Sequence, residues 1–211
     1  PSVYHLNEGH TAMAILGVAA QYLTEHPETA GLSAAIEKIR PQVVGTKHTI
    51  LPAAGLFIGK QQLEEILGDY LAEHKIGLDD FFNLGRSHDD PNIFSTTSLL
   101  LRSASRSSAV SLSHAIFEKR AHPHSRLVPI TNGINRTRWS LPALAATSLS
   151  ALSDEELWQL HTAQRRELLA AVKKQTGVAM NEEALTIVWA KRIAAYKRLD
   201  VLVGNLDRLA E

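Results

Sequence analysis

Apolar residues dominate the stretch from Thr11 to Leu23 (Met13, Ile15, Leu16, Val18, Ala19, Tyr22, Leu23), which predicts a largely buried helix. His26-Pro27-Glu28 ends it, because proline and the residue before it both disfavour helix. A short strand closing at Leu6 precedes this helix, and Leu32 to Ile39 predicts a second. Gln42 to Thr46 is short and β-branched between breakers, the pattern of a buried strand. It empties into Lys47-His48-Thr49 and a loop with Pro52 and Gly55. Gln61 to His74 is helical, with Leu63, Ile66, Leu67, Tyr70 and Leu71 on one side. A polar loop covers Arg86 to Asn92. Ser95 to Arg120 reads as one long helical region that its serine-rich middle, Ser103 to Ser113, can break or kink. Leu127 to Ile130 is a strand running into the turn Thr131-Asn132-Gly133.

Beyond that turn, Ser153 and Glu156 have the spacing of a capping box, and the helix they open runs to about Lys174, with Gly177 as its stop. Ala184 to Ala190 has the length and composition of a strand. Leu199, Leu202, Val203, Leu206 and Leu209 then follow at helical spacing. Residues 185–211 thus read as one strand and one helix. A parallel strand buried on both faces needs neighbours, so this segment reads as the opening of a domain whose remainder is absent. The start, Pro1-Ser2-Val3-Tyr4-His5, shows no secretory pattern. Both ends read as cuts through a longer protein.

Composition narrows the choice. Of the 211 residues, 45% are hydrophobic and 21% charged, the range of a globular protein of one large or two small domains. The formal net charge is zero, so no overall field draws in nucleic acid or an acidic membrane, and any basic site is local. There is no cysteine, which excludes disulfides and thiolate metal sites and fits a reducing, cytoplasmic compartment. No apolar run approaches the roughly 18 residues of a membrane span.

Four runs carry candidate chemistry. Lys191, Arg192, Lys197 and Arg198 gather at the predicted strand-to-helix turn, where ligands bind in open α/β sheets. A helix N-terminus there favours an anion, and four cations around it repel one another unless phosphate or another acid joins them. The alternative is a solvated basic face. Glu8 and His10 lie in Tyr4-His5-Leu6-Asn7-Glu8-Gly9-His10-Thr11, a helix entry able to bind metal or sugar. It lacks the His-Glu-x-x-His pattern of zinc proteases, so no metal is assigned. His48 follows a buried strand, a place where histidine is more often structural than catalytic. Thr131-Asn132-Gly133 through Trp139 is a turn that follows a strand and closes on Arg138-Trp139.

In order and spacing these runs resemble the α-glucan (glycogen and maltodextrin) phosphorylase family. Leu6-Asn7-Glu8-Gly9-His10, His48-Thr49-Ile50-Leu51-Pro52, Thr131 to Trp139, and Lys191-Arg192 through Tyr196-Lys197-Arg198 each resemble a run of that family. The resemblance implies an α/β fold that is part of a two-domain glycosyltransferase architecture with Rossmann-like domains, incomplete at both ends. Residues 1–132 would be the later part of the N-terminal glucan-binding domain, and 133–211 the start of the C-terminal cofactor domain. It implies phosphorolysis of α-1,4-glucan by inorganic phosphate, releasing glucose 1-phosphate, by a cytoplasmic homodimer that uses pyridoxal phosphate. His48 and Asn132 would contact the sugar, and the His48 carbonyl would ease developing positive charge. Arg192 and Lys197 would hold substrate phosphate. Lys191 and Trp139 would lie near the cofactor, Tyr196 would touch a sugar hydroxyl, and Glu8 and His10 would shape the acceptor side.

The chain departs from the family pattern in two places. Ser108-Ala109 stands before Val110 where the family usually has Asn-Gly or Asn-Ala, and Ala115-Ile116 follows His114 where it tends to have a small residue and then Glu. The cofactor lysine would lie past residue 211, so the isolated chain is expected to be inactive. Two other readings compete: a retaining sugar-nucleotide glycosyltransferase resembling glycogen synthase, which shares the Arg192-x4-Lys197 spacing, and a catalytically dead glucan-binding module.

Overall fold

The computed structural model describes residues 2–50, 55–123, 125–145, 149–198, 200–201 and 203–210. The chain divides into two compact units, Pro1–Gly133 and Ile134–Glu211.

The first unit is α/β around a four-stranded sheet. β1 (Tyr4–Asn7), β2 (Val43–Lys47), β5 (Arg106–Ala109) and β6 (Leu127–Pro129) lie in that order and all run parallel. Their register pairs Leu6 with Gly45 and Thr46 with Ser108. A 3₁₀ turn over Gly9–Met13 leads from β1 into α1 (Ala14–Glu25), which buries Ile15, Leu16, Ala19 and Ala20. α1 stops at His26, before Pro27, as the proline requires. α2 (Gly31–Ile39) presents Leu32, Ala35, Ile36 and Ile39 to the core at helical spacing. α3 (Lys60–Glu73) and α4 (Leu78–Gly85) lie between β3 (Phe57–Gly59) and β4 (Ile93–Ser95), which pair antiparallel. Ile66, placed on the apolar side of α3 by periodicity, is 61% exposed, because that helix buries only Leu63 and Leu71.

The long helix expected over Ser95–Arg120 does not exist. α5 (Thr96–Ser103) and α6 (Leu112–Ala121) flank β5, which occupies the serine-rich middle. Serine gives β5 what helix would deny it: Ser108 Oγ lies 3.0 Å from Thr46 Oγ1 across the sheet, and Ser105 Oγ donates to the Val43 carbonyl. Ser95 and Ser111 then cap the helices on either side, accepting from the amides of Ser98 and His114. Gly45 lets the sheet meet α5, since a Cβ there would stand 3.0 Å from both Leu100 Cδ1 and Ser107 Oγ.

In the second unit, α7 (Arg136–Trp139) and α8 (Pro142–Ala145) precede α9 (Asp154–Thr176). The capping box forms as expected, with the Ser153 hydroxyl accepting from the Glu156 amide and the Glu156 carboxylate accepting from the Ser153 amide. Gly177, at φ 77°, ends the helix in the left-handed conformation. No described helix is long and apolar enough to cross a membrane.

The strand expected over Ala184–Ala190 is not formed. The segment pairs with no strand among the described residues, and Leu185, Ile187 and Val188 are 86%, 70% and 62% exposed. A lone parallel strand has no ladder partner and no covering layer, so its backbone turns to water. Of the helix expected from Leu199, α10 (Leu206–Ala210) is the described part; Leu199 and Leu202 lie outside the described residues, and Val203 sits in a turn.

Candidate active site

The parallel sheet delivers three of the candidate residues to one edge. β1 leads directly into Glu8, β2 into His48, and β6 leads through Ile130, whose amide donates to the Ala109 carbonyl, to exposed Asn132. This is the carboxyl edge of the strands, where ligands sit in open α/β sheets. Leu51 and Pro52 of the loop after His48 lie outside the described residues.

Glu8 and His48 are brought together. Glu8 has φ 68° and ψ 166°, a region almost confined to glycine and costing about 1–3 kcal/mol. Its amide donates to the Thr46 carbonyl at 2.8 Å, and its carbonyl accepts from the Thr11 amide and hydroxyl at 3.3 and 2.9 Å. This backbone turns the side chain inward, where it is buried, and Oε1 accepts the backbone N–H of His48. The exposed His48 imidazole is held from the other side, with Nε2 2.8 Å from Asn7 Oδ1. His10 is exposed on the 3₁₀ turn beyond Gly9 and does not join them.

Behind this pair is a cluster the sequence reading missed. Lys47 is buried, and its Nζ lies 3.8 Å from Glu8 Oε2, 3.6 Å from Glu118 Oε1 and 3.4 Å from Thr97 Oγ1. His114 Nε2 approaches the same Glu118 oxygen at 3.5 Å. The signals were present. Lys47 shares strand parity with the buried Val43 and Gly45, and a lysine on a buried face needs a carboxylate. His114 and Glu118 stand four apart on one helix, hence on one face.

The basic run of the second unit takes a form other than the one expected. Among the described residues there is no strand-to-helix turn here: Lys191 and Arg192 lie in an irregular exposed segment, and Lys197 closes a single 3₁₀ turn over Ala195–Lys197. No helix N-terminus that would favour an anion is described beside them. The side chains do converge. Arg192 Nη2 lies 3.5 Å from the Tyr196 hydroxyl, and Lys197 Nζ lies 4.8 Å from the Tyr196 ring centroid. Trp139 is 73% exposed, with the Arg138 guanidinium 5.6 Å over its ring.

The first unit is thus an α/β protein with a parallel sheet whose carboxyl edge presents a fixed imidazole and amides, groups suited to a hydroxyl-rich ligand. Comparison with known proteins narrows this class. Over 99% of its length the chain is 29% identical to the maltodextrin phosphorylase of Thermococcus litoralis, and over 98% it is 23% identical to the glycogen phosphorylase of Aquifex aeolicus. An uncharacterized protein of Methanocaldococcus jannaschii is 26% identical over 99% of the chain. No family model matches. The matches to the two phosphorylases run nearly the whole length of the chain, which is similar to both at low identity. The chain spans 29%, 36% and 37% of the three relatives, about a third of their length.

Proposed function

We propose that this chain supplies sugar- and phosphate-binding residues to an enzyme that splits α-1,4-glucan with inorganic phosphate and releases glucose 1-phosphate. The observation that carries the reading is the Glu8–His48 pairing at adjoining ends of β1 and β2, inside two of the runs that resemble the family. Residues 1–132 then belong to the glucan-binding domain and 133–211 open the Rossmann-like domain, a reading supported by the division of the chain after Gly133. A homodimer and a cytoplasmic location belong to the same proposal.

In phosphorolysis a phosphate oxygen replaces the glycosidic oxygen at the anomeric carbon, and the departing glucan oxygen takes a proton. Positive charge develops at that carbon as the bond breaks. His48 contacts the sugar through its ring, steadied by Asn7, and turns its backbone carbonyl toward the developing charge. Asn132 hydrogen-bonds the same sugar. Glu8, buried, shapes the acceptor side through His48, and exposed His10 does so directly. In the second unit Arg192 and Lys197 hold substrate phosphate, the first as a fork and the second as a point charge, while Tyr196 between them meets a sugar hydroxyl. A preorganised group of this kind is worth about 3 kcal/mol of barrier, roughly a hundredfold in rate.

The family resemblance also implies pyridoxal phosphate, with Lys191 and Trp139 beside it. Among the described residues these two do not form a cradle for it, since Lys191 lies in an exposed irregular segment and Trp139 is itself largely exposed. The chemistry proposed for this chain is therefore the binding of sugar and phosphate.

The gene product containing this chain, given maltoheptaose and inorganic phosphate, is expected to release glucose 1-phosphate, and His48→Ala to slow it about a hundredfold. Oligosaccharide binding without glucose 1-phosphate would make it a glucan-binding module. Transfer from a sugar nucleotide would make it a glycosyltransferase of the glycogen synthase kind.

A further inference from the structure

We propose that Lys47, with Glu118 as its second carboxylate, is a positioning residue: a buried ammonium that holds the Glu8 carboxylate against the His48 amide and so sets the place of His48. Only the consequence for catalysis rests on the sugar-binding role given to His48 above.

Glu8 carries the strain and the burial at once. Its backbone sits where side chains are rarely found, and its carboxylate is 7% exposed. A lone buried carboxylate costs several kilocalories per mole and swings toward water or takes a proton. Oε1 is satisfied by the His48 amide, but Oε2 is buried and has no hydrogen-bond partner among the described residues. The nearest positive charge to Oε2 is Lys47 Nζ at 3.8 Å. The Lys47 side chain is only 3% exposed and lies between Glu8 and Glu118. Backbone connectivity completes the device. Lys47 and His48 are consecutive, so the lysine that fixes Glu8 also anchors the amide that Glu8 accepts from. Glu118 comes from α6, four residues after His114, whose Nε2 lies 3.5 Å from the same Glu118 oxygen.

The test reads the His48 amide directly, without substrate. In the full chain, amide exchange followed by NMR is expected to show a protected His48 N–H. Lys47→Met is expected to speed its exchange about tenfold or more, with Leu99 and Leu100 in the core unchanged. If that variant fails to fold because two buried carboxylates lose their ammonium, Lys47→Met/Glu118→Gln also removes the second carboxylate, leaves Glu8 in place and is expected to show the same loss at His48. In the gene product, the double variant is expected to lower kcat about tenfold with KM for phosphate unchanged. Protection of His48 retained in the folded double variant would overturn the proposal. An inactive gene product with the predicted amide change would instead count against the phosphorylase reading and leave the positioning role standing.

Discussion

Gly9 and Thr97 approach so closely that a Cβ on the glycine would stand 2.7 Å from the threonine hydroxyl oxygen and 3.1 Å from its amide. The glycine therefore lets the turn after Glu8 lie directly on the start of α5. Gly9→Ala is expected to lower stability by about 1–3 kcal/mol, the usual cost of overpacking. Because the backbone must move, the strain reaches Glu8. Thr97→Ala on top of it removes the nearest atom but not the amide, so the double variant should recover only part of the loss. Urea midpoints of Gly9→Ala, Thr97→Ala and the double variant measure this; additive losses would mean that the two residues do not meet.

The backbone of Glu8 gives an unusual ranking of substitutions. Alanine is ordinarily preferred to glycine, because glycine has more conformational freedom to lose. At φ 68° and ψ 166° that order should invert. Both Glu8→Ala and Glu8→Gly lose the carboxylate, but only glycine relieves the strain, so Glu8→Gly should be about 1 kcal/mol or more the more stable. Chemical denaturation of the two variants decides it.

The same residues show what the sequence reveals and what it hides. The apolar periodicity of Leu32 to Ile39 locates α2 because every buried position in it obeys one local rule. The Ser153–Glu156 capping box is legible for the same reason, being complete within four residues. β5 was hidden, since its serines are held by partners about sixty residues away in sequence, and no local period records a bond from Ser108 to Thr46. Leu185 to Ala190 misled in the opposite way: its composition is that of a strand, but a strand is made by its neighbours. At the site, His48 and Glu8 were picked out by resemblance, but Glu8 was given an outward role. The buried Lys47 beside Glu8 was passed over as the residue next to a histidine.

α9 offers a test of helix-end chemistry in the second unit. Ser153 donates its amide and hydroxyl to the Glu156 carboxylate, which these bonds hold below the usual carboxylate range. Ser153→Ala removes the cap and should cost about 1 kcal/mol. Gly177→Ala at the other end forces a side chain into the left-handed conformation and should cost about as much. Both should lower the helical circular dichroism melt, and their effects should add, since the ends are more than twenty residues apart on one rod.

His122 should make the protein acid-sensitive in a predictable window. Burial holds its imidazole below the ordinary value of 6.5, with Lys47, His88 and Arg102 lowering it further and Glu118 working the other way. Well above pH 6.5 the ring is neutral in both folded and unfolded chains, and its contribution to stability is complete. As pH falls below that value, the unfolded chain takes up a proton that the folded chain resists. Stability is then lost until the folded pKa is passed. The urea midpoint should drop as pH falls through the ordinary value of 6.5, and that of His122→Gln should drop less. Parallel pH dependence in the two proteins would show that His122 titrates alike folded and unfolded, and that the acid sensitivity arises elsewhere.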